Sequence, residues 1–146
     1  MTENLHARVN FIYVFANDLP KMRHFYTDLL GMDECGYFED DKFGWLCYQM
    51  EGFQMMWFRP ETEMQIPAKW AAQTGYPEGT EDVGSWSVKI PQANFKEVIL
   101  KLKEENVPIF KEEPELRQES YMGFTVKDPM GNTVELYYPL PRESKK

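Results

Sequence analysis

Apolar positions recur along the chain in two rhythms. Over residues 9–16 (VNFIYVFA), β-branched and aromatic side chains run together and predict a strand. Leu19, Met22, Phe25, Tyr26, Leu29 and Leu30 then fall three and four apart, the apolar stripe of a helix near 19–30. Asn17 and Asp18 supply capping side chains before it, with Pro20 just inside its first turn. Gly31 is placed to end the helix in the left-handed conformation. Strands are predicted near 33–39, 43–50 and 53–59, with Glu51-Gly52 as the tight turn between the last two. Residues 60–82 lose both rhythms and carry three prolines and a run of acids. They read as a connector holding one short helical turn around 68–72.

The order then repeats. Residues 84–90 (GSWSVKI) predict a strand, and Phe95, Val98, Ile99 and Leu102 mark a helix over 92–105 that Asn106 and Pro108 stop. Strands follow at 109–113, a short one, and at 120–127 and 133–138. Asp128-Pro129-Met130-Gly131 suits a type I turn between the last two. The chain therefore reads as two βαβββ units offset by roughly 73–74 positions, an α+β fold whose repeat is one of pattern rather than identity. Each helix covers one face of its sheet. Pairing the two sheets edge to edge forms a curved open-barrel sheet around a cavity able to hold a ligand. The 146 residues form one domain on this reading, with modules at 9–59 and 83–139 and the connector at 60–82.

Charge narrows the partners. Sixteen Lys and Arg against 24 Asp and Glu leave a net charge of −8, which opposes binding to a phosphate backbone. Nucleic acid is excluded as a partner, and the overall field favours a cationic small molecule. No apolar run approaches the roughly 18 residues of a membrane span, and residues 1–8 lack the apolar core of a secretory signal. Two cysteines, Cys35 and Cys47, are too few for a disulfide framework; the expectation is two free thiols in a reducing cytoplasm. Cys47 reads as a small hydrophobe. His6 and His24 are the only imidazoles.

The segments FIYVFANDLPKMRHFYTDLLGM and GFTVKDPMGNTVELYY, in that order, resemble the vicinal oxygen chelate superfamily. That group includes glyoxalases, extradiol dioxygenases, and fosfomycin- and bleomycin-resistance proteins. The resemblance covers about residues 9–139 and implies the paired βαβββ fold and a homodimer. Its metal-dependent members take a His or Gln from each opening strand and a Glu from each closing strand. On this chain those positions fall on Phe11, near Ser85, in the Gln54–Trp57 stretch and on Glu135. A phenyl ring, a hydroxyl and one carboxylate are a poor donor set, so no metal or other cofactor is expected.

Strand alternation places Ile12 and Val14 under the first helix and turns Phe11, Tyr13 and Phe15 into the trough. Ser85, Ser87 and Lys89 join them from the second module's opening strand, and Thr133, Glu135 and Tyr137 from its closing strand. Trp45, Cys47, Gln54, Met56 and Phe58, or the alternate set with Met55 and Trp57, come from the first module. Glu135 is the residue to watch. A carboxylate among rings either bridges to Lys89, Arg59 or a tyrosine hydroxyl, anchors a ligand, or serves as a general base. Three functions fit: a metal-free binder of an aromatic or cationic small molecule, a metal-dependent lyase or dioxygenase with an atypical ligand set, and a regulatory module whose trough is filled.

Overall fold

The computed structural model describes residues 5–73 and 78–141. Its elements run β1 (Phe11–Phe15), α1 (Leu19–Arg23, continued as a π-helix over His24–Leu29), β2 (Glu34–Glu39), β3 (Gly44–Met50) and β4 (Phe53–Phe58). They resume with β5 (Ser85–Lys89), α2 (Gln92–Glu104), β6 (Glu115–Arg117), β7 (Tyr121–Lys127) and β8 (Thr133–Pro139). These are two βαβββ modules, as the periodicity predicts. They lie in two compact units, Met1–Met64 and Gln65–Lys146. Among the described residues no helix is long and apolar enough to cross a membrane.

In the first unit the sheet order is β1-β4-β3-β2, with β1 parallel to β4 and the other pairs antiparallel. Register partners share a face. Leu46, Tyr48, Met55 and Trp57 accordingly look to the helix, whereas Phe11, Tyr13, Phe15, Trp45, Met56 and Phe58 look the other way. Asp18 caps the helix, its Oδ1 accepting from the Lys21 amide at 3.0 Å. From His24 the helix widens to a π turn, and the Leu30 amide donates to the Phe25 carbonyl at 3.0 Å. The wider turn admits two sequence neighbours, Phe25 and Tyr26, to the core together, edge to face at 4.8 Å. Gly31, at φ 72°, then turns the chain out of the helix.

Tyr26 packs 5.3 Å from Trp57 and 5.9 Å from Tyr48, and all three are fully buried. The Tyr48 hydroxyl meets Thr27 Oγ1 at 2.7 Å, and Thr27 donates onward to Glu34, tying the π turn to β2. Burial pushes the Tyr48 phenol up to about 12, so this hydroxyl keeps its proton.

Two expectations fail in this unit. Ile12 belongs to the helix-facing side but is exposed, and Val14 is only half-buried, because β1 is an edge strand with β4 as its one sheet neighbour. Nor are Cys35 and Cys47 free thiols. They form a disulfide, with Cα atoms 5.3 Å apart. Cys35 is the extra residue of a bulge between Glu34 and Gly36, next to the Gly36–Cys47 pair, a placement that counting cysteines does not reveal.

In the second unit the order is β5-β8-β7-β6, with β5 parallel to β8. Phe95, Ile99 and Leu102 of α2 are buried over Phe124, Val126, Val134 and Leu136, and Phe95 meets Tyr138 edge to face at 4.8 Å. Asp128 shapes the β7–β8 turn, its Oδ1 accepting from the Met130 and Asn132 amides. Residues 109–113 are not a strand; Ile109 makes one isolated bridge to Val126, and the sheet's fourth strand is β6. Gln118 (φ 49°) and Glu119 (φ 54°) turn β6 into β7, closed by the Ser120 amide on the Arg117 carbonyl at 3.1 Å. The connector holds no helical turn at 68–72; Ala71 instead makes an isolated bridge to Thr80, and its amide donates to Thr133 Oγ1 at 2.8 Å.

Trp57→Ala is expected to lower unfolding free energy by about 3–5 kcal/mol, and Phe11→Ala by about 0.5 kcal/mol, in urea denaturation. Replacing Glu119 by glycine relieves a left-handed backbone and should raise stability by about 0.5–1 kcal/mol on the same measurement.

Candidate functional site

Glu135 lies mid-strand on β8, on the sheet face away from α2, with Ser87 of β5 on one side and Thr125 of β7 on the other. Its carboxylate is fully engaged. Oε1 accepts from Ser87 Oγ at 2.7 Å; Oε2 accepts from Arg117 Nη1 at 2.7 Å and from the Tyr121 hydroxyl at 3.1 Å. The side chains of Arg117 and Glu135 are 2% and 6% exposed, so this ion pair is buried. Of the three partners the sequence offered, a tyrosine hydroxyl is present, from Tyr121, whereas Lys89 and Arg59 are not partners. Arg59 pairs with Glu39 at 2.6 Å, and Lys89 is exposed at the end of β5.

Arg117 reaches Glu135 because of what β7 omits. A Cβ built at Gly123 would stand 2.8 Å from Arg117 Cδ and 2.9 Å from Nη1, so only glycine leaves a channel for the guanidinium. Thr125 Oγ1 accepts from Nη1 at 2.9 Å and donates to Gln73 Oε1 at 3.3 Å. On the far side, Nε and Nη2 lie 3.2 Å from Glu115 Oε1, and Lys111 Nζ donates to Glu115 Oε2 at 3.0 Å. Burial raises the Glu115 pKa, but Lys111 and Arg117 outweigh it and hold the carboxyl below its usual value. Lys111, Glu115, Arg117 and Glu135 thus alternate in sign along one line and sum to zero.

The connector supplies the rest of this face. Gln73 donates from Nε2 to Ser85 Oγ. Lys127 Nζ donates to the carbonyls of Pro67 and Lys69 and lies 5.2 Å from the Trp70 ring, which meets Phe110 at 5.4 Å. Burial lowers the Lys127 pKa from its ordinary value. Segment 66–73 therefore straps one end of the sheet face and leaves the other open. There, two adjoining depressions of about 540 and 240 Å³ share Ser87 and Glu135. Gln73, Ser85 and Glu81 flank the larger; Tyr121 and Tyr137, ring to ring at 5.7 Å and 75°, flank the smaller.

Of the residues the sequence singled out, Ser85, Ser87, Glu135 and Tyr137 come together here. Lys89 does not line either depression. Phe11, Tyr13 and Phe15 lie on the open face of the first unit, 45%, 61% and 50% exposed, in a row with Phe58. Trp45, Cys47, Gln54, Met56 and Phe58 are that face's strand residues; Met55 and Trp57 are under the helix. Arg117, Gln73, Thr125 and Tyr121 were not anticipated. Alternation along 121–125, applied as it was to the outer strands, identifies Tyr121 and Thr125; nothing comparable marks Arg117.

The matches to known proteins agree with the fold. A family model, the Glyoxalase/Bleomycin resistance protein/Dioxygenase superfamily, matches residues 8–136. The chain belongs to that superfamily. Its fold is similar to a glyoxylase/bleomycin resistance protein/dioxygenase domain from Frankia sp. EAN1pec (TM-score 0.63, 12% identity, 92% of each chain). It is also similar to lactoylglutathione lyase from Agrobacterium tumefaciens (0.58, 16%, 90% of this chain and 93% of that one). A third similar structure is the fosfomycin resistance protein FosX from Listeria monocytogenes, complexed with Mn(II) (0.58, 15%, 94% and 93%). No curated protein matches the chain by sequence.

The superfamily's metal does not fit the residues present. By strand register the first-module counterpart of Glu135 is Met56, and that of Ser85 is Phe11. Of the four positions only Glu135 is a strong donor, and both its oxygens are already bonded. Among the described residues no group of three or more His, Cys, Asp and Glu is disposed to hold a metal ion.

Removing one partner of a buried pair leaves the other charge uncompensated. Arg117→Ala is expected to cost about 3–5 kcal/mol in urea denaturation, while Arg117→Met with Glu135→Leu should fall within about 1 kcal/mol of the wild type.

Proposed function

We propose that this superfamily member is a metal-free small-molecule binder that performs no metal chemistry and takes an aromatic ligand on its open sheet faces. The observation that carries the reading is the state of Glu135, whose carboxylate is closed off by Arg117, Ser87 and Tyr121. What remains on offer in the second module is hydroxyls, an amide and two phenol rings around an open depression. Such a set orients a flat ligand by hydrogen bonds at one end and ring contact at the other, which adds about 0.5–1.5 kcal/mol beyond area burial. Phe11, Tyr13 and Phe15 offer further stacking surface on the first module. On this reading Glu135 serves as the partner of Arg117 rather than as a general base.

A homodimer belongs to the same reading, supported by the exposed aromatic side chains of edge strand β1, and sedimentation velocity tests it. The cytoplasmic placement rested on free thiols, and the Cys35–Cys47 pairing withdraws that support.

A thermal-shift screen of aromatic and heterocyclic compounds tests the binding. A ligand at a hundred times its Kd stabilises by about 2.7 kcal/mol. Tyr137→Ala and Ser87→Ala should each reduce the shift, and a chelator should leave it unchanged. The metal-dependent lyase or dioxygenase reading takes over if elemental analysis finds near-stoichiometric metal that Glu135→Ala removes.

A further inference from the structure

Resting on the binding site proposed above, we infer that Arg117 sets the charge preference of that site, fitting it to uncharged planar ligands and against cations. The net charge of −8 points the other way, toward a cationic ligand. That sum, however, is taken over a whole surface screened beyond about 8–10 Å at ordinary ionic strength. What a ligand meets at the floor of the depression is decided by groups in contact with it, and there the charge is cancelled. Glu135 is the buried carboxylate of the lining, and Arg117 Nη1 holds it at 2.7 Å. Glu115, the second carboxylate on Arg117, is balanced in turn by Lys111. Glu81 stands on the exposed rim, where a charge contributes little.

A ligand cation entering this floor would lose its hydration and find the carboxylate's charge already paired with Arg117. It would also lie beside a guanidinium of like sign. An anion would meet the same closed pair. A neutral head group, by contrast, can use the hydrogen-bonding capacity these hydroxyls have left, accepting from Ser85 Oγ and donating to Ser87 Oγ, whose own proton is on Glu135, at no charge penalty while its ring lies against Tyr121 and Tyr137. Arg117 acts through Glu135 rather than by touching the ligand, so it is a positioning residue. Its signature is a change in which charge the site prefers.

Three nearly isosteric probes read that preference: benzamide, benzamidinium and benzoate, titrated into the full chain and followed by NMR shifts of the Ser87 and Tyr137 amides. The wild type should rank benzamide first. Arg117→Met uncovers Glu135 and should move the benzamidinium-to-benzamide affinity ratio by roughly tenfold toward the cation. Arg117→Lys keeps the positive charge and should keep the wild-type order. Glu135→Gln, nearly the same shape as the native side chain, leaves the guanidinium without its partner and should shift the ratio toward benzoate. This variant carries the test even if Arg117→Met does not fold. Probes that bind at these residues with the same ranking in Arg117→Met and Glu135→Gln overturn the inference alone. Failure of all three to shift these amides in the wild type at about 10 mM overturns the binding-site reading itself, and the inference with it.

Discussion

A buried ion pair has to be built for, and the second module's open face is arranged around the one between Arg117 and Glu135. Taking both charges out of water costs several kcal/mol per ion, and their attraction offsets that only if every remaining donor and acceptor is satisfied. The neighbouring residues answer to this. Ser87, Tyr121 and Thr125 complete the hydrogen bonds, and Gly123 vacates the path of the guanidinium. The β6–β7 turn places Arg117 opposite Tyr121, so that both reach the same carboxylate oxygen. That turn puts two non-glycine residues in the left-handed region, a conformation costing about 1–2 kcal/mol per residue. Strain of this kind persists where surrounding contacts over-determine it.

The two modules share one plan and diverge on the face that matters. Tyr13, Met56 and Cys47 stand in the first module where Ser87, Glu135 and Thr125 stand in the second. One triplet is largely apolar with its cysteine held in a disulfide; the other is a hydrogen-bonded polar cluster. The polar face could not be left bare on its Lys127 side, because a buried ammonium needs acceptors. Segment 66–73 supplies them as the carbonyls of Pro67 and Lys69. The connector, which by composition was only a low-rhythm stretch, is thus structural at its end and part of the site at Gln73.

Most of the fold was legible because it rests on local signals: a 3.6-residue stripe for each helix, alternation for the strands, and turn residues at Asp18, Gly31, Glu51-Gly52 and Asp128. The exceptions have physical causes. Strand β6 (Glu-Leu-Arg) turns two charged side chains to the sheet face away from α2, and its three-residue hairpin loop, Gln118-Glu119-Ser120, has no glycine at its left-handed positions, so neither signal fired. The disulfide depends on a bulge, which shifts register by one residue and cannot be read from spacing. In the site, alternation gave the right face for Ser85, Ser87, Glu135 and Tyr137. It could not give the partner of Glu135, because Arg117 reaches across β7 to meet it.

A guanidinium and a divalent metal can both neutralise a carboxylate on this face, but they leave different chemistry behind. A metal retains open coordination positions that polarise a bound oxygen. Arginine has no empty orbital, cannot lose its proton at physiological pH, and presents a fixed fork of donors. Once its donors are committed to Glu135, Thr125 and Glu115, little is left for a reacting group. With arginine in this place the floor is charge-balanced, with hydroxyls and rings around it. On the proposed reading such a floor recognises by shape and neutral hydrogen bonds, in keeping with a binder.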